Sequence, residues 1–256
     1  MKKILVATGI VLIVFGIYLL LREKPKIQNP KPKIEEVIKR EKKEILRFAV
    51  MADVHNDTES LSKALDLVEN ELVVVAGDLT INGTEKEQMA IKKVLGDRFA
   101  VPGNHDIYKS VWIFGRKYQS IEKNNVKLIL VDNSHWRGLG EEQKIWIGGE
   151  VGECVIKKCL AIMHKPLENH FSTHVMGENS KVVTAEAGWL KELFLRNNVR
   201  TGYSGHLHYA SSYTIGGWET VLVGAISKDR NTETPRFTEV VVYDDGSVSN
   251  EVKLIQ

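Results

Sequence analysis

Cysteine is nearly absent, with only Cys154 and Cys159 in 256 residues. Two thiols are too few for a disulfide-stapled scaffold, and they have neither the number nor the spacing of a structural zinc knuckle. They lie five positions apart in a segment that reads as a strand, where an odd offset sends side chains to opposite faces, so two separate half-buried thiols are expected. Neither sign of charge dominates: 35 bases against 33 acids leave +2, without the basic excess that duplex binding usually leaves. No specific nucleic-acid partner is therefore indicated. There is no internal repeat and no low-complexity tract. With 43% hydrophobic and 27% charged residues, the chain is neither disordered nor membrane-embedded throughout.

Charge is also missing from Ile4 to Leu21, which as a helix would span roughly 27 Å, enough to cross a bilayer. Lys2 and Lys3 precede it as in a signal peptide, but the apolar run is long for one and no Ala-x-Ala site comes after it; no cysteine is placed there for lipid attachment either. Residues 4–21 are expected to be a single-pass membrane anchor. Residues 22–46, with Pro25, Pro30 and Pro32 ahead of a Lys- and Glu-rich run, read as a solvated stalk. The short leading tail suits a signal-anchor that translocates the chain on its carboxyl side, so an extracytoplasmic domain over residues 47–256 is the expectation.

Past the stalk, short apolar runs alternate with amphipathic stretches. Leu46–Ala52, Leu72–Ala76, Val126–Val131, Ile145–Ile147, Leu160–Met163, Arg200–Tyr203, Glu219–Val223 and Glu239–Tyr243 read as strands. Glu59–Glu69, Thr84–Leu95 and Glu186–Asn197 have helical spacing of Leu, Ile, Val and Phe. Strands alternating first with helices and then standing alone imply an α/β domain with a mixed sheet pair flanked by helices.

Several of these strands, and the short run Phe99–Pro102, end in residues that a packed core has no reason to place there: Asp53-Val54-His55, Gly77-Asp78, Gly103-Asn104-His105-Asp106, His164, and Gly205-His206-Leu207-His208. In open α/β sheets such ends converge on one crevice, the usual ligand site. Asp, Asn and His supply oxygen and imidazole donors suited to Mn, Fe, Zn or Ni, and the one-residue gap in Asp-x-His and His-x-His lets two side chains of one turn converge. A carboxylate such as Asp78 can bridge a metal pair. His135, His170 and His174 fall outside these motifs.

Together the blocks DVH, GDL, GNHD, the lone His164 and GHLH resemble the signatures of the calcineurin-like metallophosphoesterase superfamily over about residues 47 to 225. The resemblance implies a four-layer α/β/β/α sandwich of two mixed β-sheets flanked by helices. It also implies two divalent metal ions, one on Asp53, His55, Asp78 and His208, the other on Asp78, Asn104, His164 and His206. Metal-bound hydroxide would attack phosphorus in line, with His105 facing a phosphate-ester substrate as general acid or as electrostatic stabiliser. Protein-phosphatase members carry an Asp three residues after the bridging one, where it orients the catalytic His; Ile81 stands there in this chain, and Asp106 is the expected replacement. YQSI (118–121), LVDNS (130–134) and EEQKIWI (141–147) are similar to segments of phosphodiesterase-like members. The expected function is hydrolysis of a phosphomonoester or phosphodiester. The alternatives are a membrane-tethered binding module with a non-catalytic metal site, and a nuclease-type member.

Overall fold

The computed structural model describes residues 41–69, 72–107 and 112–256. The expected membrane anchor and most of the stalk lie outside the described residues. Among the described residues, no helix is long and apolar enough to cross a membrane.

Among the described residues, eleven strands form two sheets. The first has the order β11 (Val248–Leu254), β10 (Arg236–Tyr243), β1 (Glu44–Met51), β2 (Val73–Ala76), β3 (Phe99–Val101). β1, β2 and β3 run parallel, and β10 and β11 complete the sheet antiparallel. The second has the order β4 (Gln119–Lys123), β5 (Val126–Val131), β6 (Lys158–Met163), β7 (Thr201–Ser204), β9 (Trp218–Val223), β8 (Ala210–Ile215), parallel from β5 through β9 with antiparallel edges. β1 begins three residues ahead of the boundary expected at Arg47.

Alternation along β1 shows how the layers are built. Phe48, Val50 and Ala52 point between the sheets, where they join Leu128, Leu130, Leu160, Ile162 and Tyr203. Ala49 and Met51 face the other way, onto Leu61 and Ala64 of α1 (Thr58–Asp66) and Ile91 and Leu95 of α2 (Glu85–Leu95). On the far side of the second sheet, Ile129, Ala161 and Met163 meet Ile147 of α3 (Glu141–Val151) and Leu190 and Phe194 of α4 (Lys181–Arg196). The result is the expected helix, sheet, sheet, helix layering. Each of these fully buried Leu, Val or Phe side chains contributes roughly 1.5–3 kcal/mol of hydrophobic stabilisation.

Local signals set the helix starts. Asp57 accepts from the Ser60 N–H at 2.9 Å, and Thr84 with Glu87 forms a reciprocal capping box. Residues 145–147 form part of α3, against the strand expectation. Gln143, Ile147, Val151 and Cys154 recur at helical spacing and are buried, whereas Ile145 is 77% exposed. The Ile-Trp-Ile triplet thus belongs to a period of 3.6, not 2. The Gln143 amide accepts from the Asp132 N–H at 2.8 Å and donates to its carbonyl at 2.9 Å, which accounts for LVDNS and EEQKIWI as paired structural segments.

The cysteines also depart from expectation. Cys154 and Cys159 form a disulfide with their Cα atoms 5.5 Å apart. The chain between them is not a strand: a 3-10 turn (Gly152–Val155) succeeds α3, the backbone reverses, and Cys159 enters β6 facing the same core as Cys154.

Candidate metal centre

The motif residues lie just past the carboxyl ends of β1, β2, β3, β6 and β7, and cross-links tie those ends together. Asp53 N donates to Gly77 O at 3.0 Å, His55 N to Asp78 O at 3.0 Å, and Gly205 N to His164 O at 3.1 Å. Five of the liganding candidates, Asp53, His55, Asp78, His206 and His208, have φ between 45° and 70°. Asp, Asn and His tolerate this left-handed conformation better than most residues. Two glycines are explained by crowding: a Cβ on Gly77 would come within 2.6 Å of the His164 ring, and one on Gly103 within 2.1 Å of the Asp78 carboxylate.

Two groups of donors result, sharing Asp78. Asp53, His55, Asp78 and His208 offer one ligand atom each, all within 4.8 Å of one another, and so do Asp78, His164 and His206. Asn104 joins the second group, its Oδ1 being 3.1 Å from His164 Nε2. All seven residues expected to hold metal therefore meet in one place.

The chemistry of these atoms fits cations. His164 donates Nδ1–H to the Ala76 carbonyl at 2.9 Å, so in the neutral ring Nε2 carries the lone pair. That nitrogen faces Asn104 Oδ1 at 3.1 Å, Asp78 Oδ2 at 3.2 Å and His206 Nδ1 at 3.1 Å. In the other group, His208 donates Nδ1–H to the Arg230 carbonyl at 2.8 Å, turning its lone pair toward His55 Nε2 at 3.2 Å and Asp53 Oδ1 at 3.7 Å. Acceptors converging on acceptors are satisfied by shared positive charge. His55 Nδ1 and His206 Nε2 are buried without partners, as a polar cluster built for something beyond the chain would have them.

The electrostatics arise from this crowding. Burial works against charge on His164, but the Asp78 carboxylate beside it outweighs burial and raises the ring to about 9. Burial lowers His206 far below the usual imidazole range, reinforced by His164 and His174, and lowers His55 to about 4. Burial alone would raise the Asp78 carboxyl, yet His164 and the His105 N–H hold it below the ordinary carboxylate range. Asp53 is raised by burial.

His105 sits at the rim, half-buried, its ring edge-on to His55 with centroids 5.1 Å apart. Its Nδ1 donates to the Ile81 carbonyl at 2.8 Å. The position that lacks the expected carboxylate thus supplies a backbone oxygen to orient the ring. Asp106 does not take that role. Its buried carboxylate accepts from the N–H groups of Leu79, Thr80 and Gly103 and from the Thr80 hydroxyl, at 2.8–3.1 Å, and so ties the β2 and β3 loops together. Burial and the nearby Asp78 raise its carboxyl to about 6.

Two residues escaped the sequence reading. His174 stacks on His206 with centroids 4.0 Å apart and is bonded to Glu178. Arg230 Nη1 lies 3.3 Å from His105 Nε2. No sequence motif marks either; Arg230 sits in a polar loop 22 residues beyond His208.

Fold and donor set together define a metal-dependent phosphoric ester hydrolase class. Residues 46–210 match the family model described as calcineurin-like phosphoesterase, and the chain belongs to that family. A probable glycerophosphodiester phosphodiesterase GpdQ of Arcobacter nitrofigilis is 31% identical over 114 residues, 38% of this chain; the aligned part is 42% of the relative's length. Among solved structures, a dimetal phosphatase from Danio rerio aligns over 84% of this chain and 100% of its own with a TM-score of 0.59 at 13% identity. A purple acid phosphatase from yellow lupin (Lupinus luteus) seeds aligns over 82% of this chain and 51% of its own with a TM-score of 0.58 at 13% identity. These structural likenesses concern the fold.

Proposed function

We propose that the chain hydrolyses a phosphomonoester or phosphodiester at a site for two divalent cations, one held by Asp53, His55, Asp78 and His208, the other by Asp78, Asn104, His164 and His206. The convergence of lone pairs around His164 Nε2 and His208 Nε2, with the Asp78 carboxylate common to both groups, carries this reading. Two such cations supply Lewis acidity and an activated water. The protein's own groups, mostly backbone, position the ligands. Ala76 O and Arg230 O fix the His164 and His208 tautomers. The backbone N–H of His206 donates to the Asp53 carboxylate at 2.9 Å. Ile81 O accepts from His105 Nδ1 and so turns Nε2 to the rim, where it lies 3.3 Å from Arg230 Nη1 and would meet an ester oxygen. The glycerophosphodiester phosphodiesterase relative supports the diester arm.

The test uses the full chain with Mn²⁺, Zn²⁺, Fe²⁺ or Ni²⁺ against bis-p-nitrophenyl phosphate and p-nitrophenyl phosphate, with metal content measured alongside. About two ions per chain and turnover of at least one ester are expected. His105→Ala should keep the metals and lose rate by about 10²-fold or more. Full metal occupancy with no turnover under any of these metals would favour a binding module.

An extracytoplasmic, membrane-attached location is supported by the apolar run 4–21 and by the Cys154–Cys159 disulfide, since such bonds persist mainly in oxidising compartments, hyperthermophile interiors excepted. A reporter fused after Gln256 that is active only outside the cell should be active; an inactive one sinks this location.

A further inference from the structure

Arg230 lies in the loop between β9 and β10 with φ of 63°, a conformation that costs a non-glycine residue on the order of 1 kcal/mol unless its surroundings enforce it. Here they do. Asn231 donates to the carbonyls of Ala225 and Ser227 at 3.3 and 3.2 Å and accepts from Glu233 N at 3.0 Å. Ile226 N and Ser227 N bond Ala52 O and Asp53 O at 3.0 Å, which fixes the same loop to the end of β1.

This turn aims Arg230 twice at the centre. Its carbonyl accepts from His208 Nδ1 at 2.8 Å, and its guanidinium reaches His105 Nε2 at 3.3 Å. Among the described residues it has no carboxylate partner, whereas Lys228 two positions earlier is engaged by Glu59 at 3.1 Å. Behind His105, on its Nδ1 side, stands the Ile81 carbonyl and not a carboxylate. A guanidinium has five donors in a planar fork matched to two oxygens of a phosphate, and only one contact is used here.

We propose that Arg230 grips the phosphoryl group beside His105, and that its uncompensated charge makes the site favour a terminal, doubly charged phosphate over a singly charged diester. The second charge on a monoester doubles the Coulomb attraction to a fixed cation at the same distance. This rests on the phosphate-ester reading of the same site.

The test compares the full-length, Mn²⁺-loaded chain with Arg230→Asn, chosen because Asn tolerates the left-handed turn, and Arg230→Lys. Calorimetric titration with inorganic phosphate is the first readout, metal content the second, and kcat/KM on p-nitrophenyl phosphate and bis-p-nitrophenyl phosphate the third. Expected for Arg230→Asn are unchanged metal content, phosphate binding weaker by about tenfold or more, and a larger loss on the monoester than on the diester; Lys should restore part of each. Phosphate affinity within about twofold of wild type, no phosphate binding by the wild type, or loss of metal in Arg230→Asn overturns the proposal; equal losses on both esters overturn the charge preference. If the wild type binds phosphate but cleaves neither ester, the hydrolase reading fails while calorimetry still decides on Arg230.

Discussion

The two halves of the centre are built differently. The half around His164 and His206 is interior: His164 is fully buried, its outer nitrogen bonded to a β2 carbonyl, and His206 is 6% exposed. The half around His208 opens to the rim, and its outer nitrogen depends on a carbonyl in the β9–β10 loop, beside Arg230 and the half-buried His105. Asp53 and His55 of the outer half are as buried as the inner ligands, so the contrast lies at His208, which is oriented by an exposed turn residue, whereas His164 is oriented by a core strand.

The strongest way to erase the distinction is to remove what both halves share. Asp78→Asn should cut metal occupancy and turnover together, by about 10²-fold or more in activity, measured by metal analysis and single-turnover kinetics. Loss of activity with both ions retained would mean that Asp78 does not hold them jointly.

A finer contrast sets His164→Asn against His208→Asn. Both should weaken metal binding, but only the inner variant should also lower the stability of the metal-free protein, by about 1–3 kcal/mol, because it abandons the buried Ala76 carbonyl. The two can be separated further by pH. In the folded chain His164 titrates at about 9, above the ordinary imidazole value of 6.5, so its contribution is complete below 6.5 and is lost as pH rises through 9. Thermal melts of the metal-free wild type should fall across that window, and those of His164→Asn should not.

The smallest effect on the centre is expected from the far end of β6. Cys159 precedes His164 by five residues, about 16 Å along the strand. Cys154→Ser with Cys159→Ser should cost about 2 kcal/mol in denaturant titrations and leave metal affinity unchanged.

Central strands and site loops were readable because their signals are local. Val73–Ala76 is buried along its whole length, and Gly-Asp or Gly-Asn-His-Asp after such a run has few structural reasons to exist. β4, β8 and β11 were missed. They are edge strands whose side chains are largely exposed or polar, as in Ala-Ser-Ser-Tyr-Thr-Ile, so no apolar pattern marks them. The disulfide was hidden for a different reason: the face rule for cysteines holds only within one element, and a turn separates this pair. Arg230 was illegible because its importance comes from a contact across 125 positions of sequence.

The left-handed torsions at Asp53, His55, Asp78, His206 and His208 limit how this site can drift. β-branched or bulky aliphatic replacements would face a backbone penalty as well as the loss of a donor, and glycine would fit the turn but bring no donor. Substitutions there are thus filtered twice, once by chemistry and once by conformation. That narrows the evolutionary exits from this arrangement to a few small polar side chains.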